Sequence, residues 1–204
     1  MSKSSHKLRE IVASLSDQLT RGWAALRVAR QIDRARREEQ LGRARSFFDV
    51  TYDACVESAI LALARLTISH KDSISVAYLL NCVQQSPSAF PISEREAVME
   101  AVARHRTLLQ GIQPLVERVK DYRDRTIAHL DKRYVNHQDE MNSVPPIDLR
   151  EVERVFELTL VILNAHREYL DRPALDLEEL RSSVAEDWAQ LLGIDPDHPY
   201  RRST

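Results

Sequence analysis

Glycine is scarce in this chain, with four among 204 residues. Asn-Gly hairpin signals and β-branched alternation are missing as well, so a sheet protein is not expected. Only two cysteines occur, Cys55 and Cys82, both in apolar helical text. They read as buried free thiols, and a disulfide framework is excluded. No run of eighteen apolar residues appears, so no transmembrane helix is expected. The opening MSKSSHKLREIV lacks the apolar core of a signal peptide, and a reducing, cytoplasmic home is the expectation. The formal net charge of −2 supplies no global basic field, so any nucleic-acid contact would need a local patch. Gly-rich phosphate loops, zinc spacings and a defensible Ser-His-Asp order are absent too, and no metal, cofactor or membrane partner is expected.

What remains is long text rich in Ala, Leu, Glu and Arg, which predicts an all-α protein. A first helix is expected over about 7–36, loosened near Gly22, with Gly42 as a break. The arginines of RVARQIDRARREEQLGRAR read as a solvated face with local ion pairs, or alternatively as an RNA-contacting strip. Phe48, Tyr52, Cys55, Ala59, Ala62 and Leu66 recur at steps of four and three and predict a core-facing stripe, with Leu63 beside it. Asp72 or Ser73 is expected to cap the helix ISVAYLLNCV. Beyond the loop at Pro87 and Pro91, Ser93 with Glu94 and Glu96 opens another helix. Pro114 suits the first turn of a helix over about 112–133. Asp148 with Glu151 forms a capping box for a helix over 149–170, whose buried face is Val152, Val155, Thr159 and Ile162. After Pro173, Asp176 with Glu179 caps a last helix. Residues 1–172 are expected as a helical-bundle domain, with 173–204 as a C-terminal helix and a flexible tail. Trp23 and Trp188 read as packing anchors, and His105 and His166 as ordinary helix residues beside arginines.

The stretch YRDRTIAHLDKRY, from Tyr122 to Tyr134, carries the chemistry. On a helix, Leu115, Val119, Tyr122, Thr126 and His129 share a row, so His129 emerges at the edge of a buried stripe. Arg125 lies one turn before His129 on nearly the same face. Arg123 lies six positions before it, roughly 9 Å along the axis and about 120° around it. An imidazole exchanges protons near neutral pH, as RNA cleavage through the ribose 2′-hydroxyl requires. A guanidinium holds a phosphate and stabilises charge developing on it. A histidine among Arg, Asp and Lys is also what a partly exposed helix residue with ion-pair neighbours looks like.

Arg123 to His129, with five residues between them and Asp124 in the polar position, resembles the signature of the HEPN superfamily. LALARLTISHKDSISVAYLL, from Leu61 to Leu80, and the extension through HLDKR resemble its abortive-infection, AbiU-like branch. The resemblance covers roughly residues 43–170. It implies an HEPN-type helical bundle with long antiparallel helices, dimerising so that two Arg–His motifs face one groove. It also implies a metal-independent endoribonuclease leaving a cyclic phosphate and a 5′-hydroxyl, acting as a toxin or anti-phage effector. Carried over, His129 transfers protons, Arg123 stabilises the phosphate, and Asp124 orients or hydrogen-bonds, with Arg125 as an auxiliary phosphate contact. The implied partners are RNA, a second copy of the chain, and an antitoxin or defence-complex protein. The alternative is a non-catalytic HEPN module that binds RNA, a nucleotide or a protein. A subset of the superfamily carries a modified tyrosine two residues after the histidine; Asp131 stands there in this chain.

Overall fold

The structure is a computed structural model that describes residues 3–69, 73–124, 147–191, 194–195 and 198–202; for Arg43 and for 194–202 it describes the backbone alone. The chain is all-α, apart from a short antiparallel pairing of Ile194–Asp195 with His198–Arg202. Among the described residues the helices are α1 (Lys3–Arg37), α2 (Arg45–Thr67), α3 (Val76–Gln85), α4 (Arg95–Gly111), α5 (Gln113–Tyr122), α6 (Leu149–Glu168) and α7 (Leu177–Leu191). Short 3-10 turns at Gly42–Ala44, Pro87–Ala89 and Ile92–Glu94 lie between them.

The helices divide between two compact units. Met1–Leu19 and Ile60–Leu175 form the first, and Thr20–Ala59 with Asp176–Thr204 the second. In the first unit, Leu8, Ile11, Val12, Leu15 and Leu19 recur at helical spacing on α1 and are all buried, as an amphipathic stripe requires. Helix α4 touches α3, α5 and α6, and α3 also touches α6. The expected face of α6 is found: Val152, Val155, Thr159 and Ile162 are fully buried, together with Phe156 and Leu163. Beyond α6, Asp171 adopts φ 54°, and the Arg172 N–H reaches back to the Arg167 carbonyl at 2.8 Å. That left-handed stop is usually made by glycine; aspartate tolerates it better than most residues. The Asn164 side chain holds the departing segment through both the carbonyl (3.1 Å) and the N–H (2.8 Å) of Leu175.

The second unit is built on Ile32, Ala35, Leu41 and Phe48, with Val28, Tyr52 and Trp188 packed against them. The Trp188 ring meets Phe48 edge-on at 5.3 Å, and Trp23 is 4% exposed; both tryptophans anchor packing. Three arginines of this stretch are ion-paired. Arg34 meets Glu38 at 2.8 Å, Arg37 meets Asp33 at 2.8 Å and Arg36 meets Asp49 at 2.7 Å. Arg36 also lies over the Tyr52 ring, 4.2 Å from its centroid. The solvated, ion-paired face is therefore the reading the structure favours over an RNA strip.

Local sequence signals fail at three places, each for a physical reason. Helix α1 runs unbroken through Gly22. One glycine inside a helix costs about 1 kcal/mol, and the burial of Leu19, Trp23 and Leu26 around it outweighs that. The cap of α3 is Ser75, whose hydroxyl accepts from the Tyr78 N–H at 3.3 Å, rather than Asp72 or Ser73. The capping box of α6 is half made. Asp148 accepts from the Arg150 N–H at 2.8 Å, but Glu151 turns to Arg118 of α5 at 2.6 Å, a charged partner stronger than a backbone amide. Both cysteines are free, Cys82 buried and Cys55 half-buried.

Candidate active site

Helix α5 places the first part of the motif. Pro114 lies in its first turn, where the missing N–H would have had no helical partner. Val116 and Val119 are buried, at 7% and 0% exposure. Arg123 follows Val119 by four residues and Val116 by seven, so it extends the core-facing row of α5. This explains why its side chain is only 24% exposed. Its backbone N–H is shared between the Val119 and Lys120 carbonyls, and the helix widens into a π-type turn at Arg123 and Asp124. Such turns re-aim side chains and recur at functional sites.

At that turn the Arg123 guanidinium bonds its own neighbour. Nε donates to Asp124 Oδ1 at 2.8 Å, and Nη2 donates to the same oxygen. Adjacent residues on a regular helix point about 100° apart and do not face each other. A long arginine bending back over a widened turn can close the gap. The carboxylate is 39% exposed, so the pair contributes at most about 1 kcal/mol to stability. Its consequence is positional: the guanidinium is held in one place. Arg118 and Glu151, one turn earlier, tie α5 to α6. The structure therefore brings Arg123 and Asp124 together. Arg125 and His129 lie outside the described residues, as do Asp131 and Tyr134.

A second histidine arrangement exists that sequence reading missed. His105 of α4 and His166 of α6 are 5% and 1% exposed. His105 Nδ1 and His166 Nε2 are 3.3 Å apart, with the rings edge-on at 5.2 Å. One nitrogen must donate and the other accept, so at least one ring is neutral at its bonded atom. His166 Nδ1 has no hydrogen-bond partner, and Tyr169 packs its ring 6.3 Å from that of His166. Burial, reinforced by the nearby His105, pushes the His166 pKa down to about 4. Burial first, and Arg104 second, pushes His105 down as well. A pair neutral at pH 7 acts as a polar core contact. Its signal was in the spacing: His105 follows Ala101 by four and Val98 by seven, and His166 follows Ile162 by four and Thr159 by seven, all buried. Among the described residues, no group of three or more His, Cys, Asp or Glu is placed to hold a metal ion.

A family model described as AbiU2, of HEPN type, matches residues 5–191. No curated protein and no solved structure matches the chain. No helix among the described residues is long and apolar enough to cross a membrane.

Proposed function

The chain belongs to the AbiU2 family of HEPN proteins, and from that premise we propose that it is a metal-independent endoribonuclease of abortive infection or toxin type. The observation that carries the reading is the placement of Arg123. It continues the core-facing row of α5, its guanidinium is fixed by Asp124, and it stands six residues before His129 in a chain matched by the family over nearly its whole length. Two copies would bring two motifs to one groove through a symmetric interface, the same patch used twice.

In this reaction an imidazole of one His129 takes the proton of a ribose 2′-hydroxyl. The 2′-oxygen attacks the adjacent phosphorus, and the bond to the 5′-oxygen breaks. The departing oxygen receives its proton from the partner subunit's His129. The products are a cyclic phosphate and a 5′-hydroxyl, with atoms and charge balanced and no redox step. Arg123 holds the phosphoryl oxygens as charge grows on them, a contribution of about 3–4 kcal/mol for a well-placed donor. Asp124 orients Arg123, and Arg125 adds a phosphate contact. Such an enzyme would work in the cytoplasm, restrained by an antitoxin or held in a defence complex.

One observation favours a second reading, a non-catalytic HEPN module. The Arg123 guanidinium is already engaged by a carboxylate, and a phosphate must displace or share that contact. Incubating total RNA with the wild-type chain and with His129→Ala separates the two. The enzyme reading requires cleavage by the first and none by the second; no cleavage by either leaves the binding module.

A further inference from the structure

Arg106, on α4, is held in an unusual way. Its Nη2 donates to the side-chain oxygens of Asn81 at 2.8 Å and Gln84 at 2.7 Å, both on α3. These are neutral acceptors. They position the guanidinium without cancelling its charge, whereas Arg34, Arg36, Arg37, Arg118, Arg123 and Arg181 each meet a carboxylate. The positive charge at Arg106 is thus pre-placed and uncompensated.

The surroundings keep it so. No Asp or Glu occurs between Asp72 and Glu94, or between Glu100 and Glu117, the text that supplies α3 and the latter part of α4. A groove of about 510 Å³ opens beside Arg106, lined also by Leu80, Leu109, Asn81, Gln110 and, at the start of α5, Gln113. Among the described residues no carboxylate lines it, and the nearby Glu117 accepts from the Gln113 carboxamide at 2.7 Å. Its volume falls in the range of about 300–1,000 Å³ usual for binding sites.

The chemistry of the lining selects the occupant. The apolar floor is aliphatic, with no aromatic ring among the described residues on which a base could stack, as single-stranded nucleic acid needs. It suits a branched aliphatic side chain. Carboxamides donate and accept, which matches the alternating N–H and C=O groups of a peptide backbone. The uncompensated guanidinium suits a carboxylate, its best-matched anion. We propose that the groove between α3 and α4, at Arg106, docks a partner protein through a segment carrying an acidic residue next to Leu, Ile or Val. None of its described lining residues belongs to the Arg123–His129 motif, and the proposal does not depend on the cleavage reading.

Phage displaying random octapeptides would be panned on the full chain and depleted on Arg106→Gln. The expected survivors carry Asp or Glu within two positions of Leu, Ile or Val. A synthetic consensus octapeptide would then bind the wild type at least tenfold more tightly than Arg106→Gln in calorimetry. Arg106→Glu is expected to turn the preference to Lys- or Arg-bearing peptides, a gain that misfolding cannot imitate. Recovery of no Arg106-dependent peptide overturns the proposal. So does binding of a hexameric oligouridylate that is lost in Arg106→Gln while no peptide is selected, which would make the groove a nucleic-acid site.

Discussion

Acidification should destabilise the first unit through His166 before most carboxylates titrate. In the folded chain this imidazole has a pKa of about 4, against about 6.5 in the unfolded chain. Above pH 6.5 it is neutral in both states and costs nothing. As pH falls below 6.5, the unfolded state takes up the proton and the folded state does not, so stability drops. The loss is complete once pH passes the folded value near 4. The shift spans about 2.5 pKa units, and at 1.36 kcal/mol per unit this is about 3 kcal/mol, a large share of a typical domain's 5–15 kcal/mol. His105 is shifted in the same direction and adds to the effect. The cause is burial: His166 is 1% exposed, and its Nδ1 has no partner to welcome a proton. The assay is urea unfolding at pH steps from 7.5 to 4.5, for wild type and His166→Gln. The wild type should lose about 2.5 kcal/mol more than the variant over that range. Parallel curves, or an NMR titration of the His166 ring centred near 6.5, would refute the reasoning.

Two further outcomes test local parts of the account. Ser75→Ala removes the hydroxyl that caps α3 and should cost about 1 kcal/mol in urea unfolding; an unchanged stability would place the cap wrongly. Arg123→Ala should slow cleavage of a defined RNA by about 100-fold or more with little change in KM, while Arg125→Ala should act mainly on KM. Equal losses of kcat in both variants would contradict the separate roles proposed for them.

How far the sequence could be read depended on the range of the interactions involved. Helix α6 was legible because Val152, Val155, Thr159 and Ile162 state their period within a few turns, and Asp148 and Asp176 cap through atoms two residues away. Gly42 was legible because its φ of 51° is a local demand that glycine meets without strain. Glu151 misled because its partner, Arg118, lies 33 residues upstream. His105 and His166 are 61 residues apart; each alone, beside an arginine, has the composition of a surface position, and only the meeting of α4 and α6 makes them a buried pair. Of the site, Arg123 was marked by its spacing from His129; its place on the buried row of Val116 and Val119 was not, since the expected row ran through Leu115 and Tyr122, which are half-buried. Its bond to Asp124 was not legible either, because a regular helix would keep neighbouring residues apart and the widened turn leaves no simple mark in composition. The neutral hold on Arg106 was hidden likewise, since it joins α3 to α4 across 22 and 25 residues.

The central claim is that Arg123 and His129 cleave RNA without a metal ion. Its most direct test is to incubate total RNA in EDTA with purified wild type and with His129→Ala, and to determine the chemistry of the new ends. The account predicts cyclic phosphate and 5′-hydroxyl ends from the wild type alone. Undiminished cleavage by His129→Ala, or intact RNA after incubation with the wild type, would contradict it.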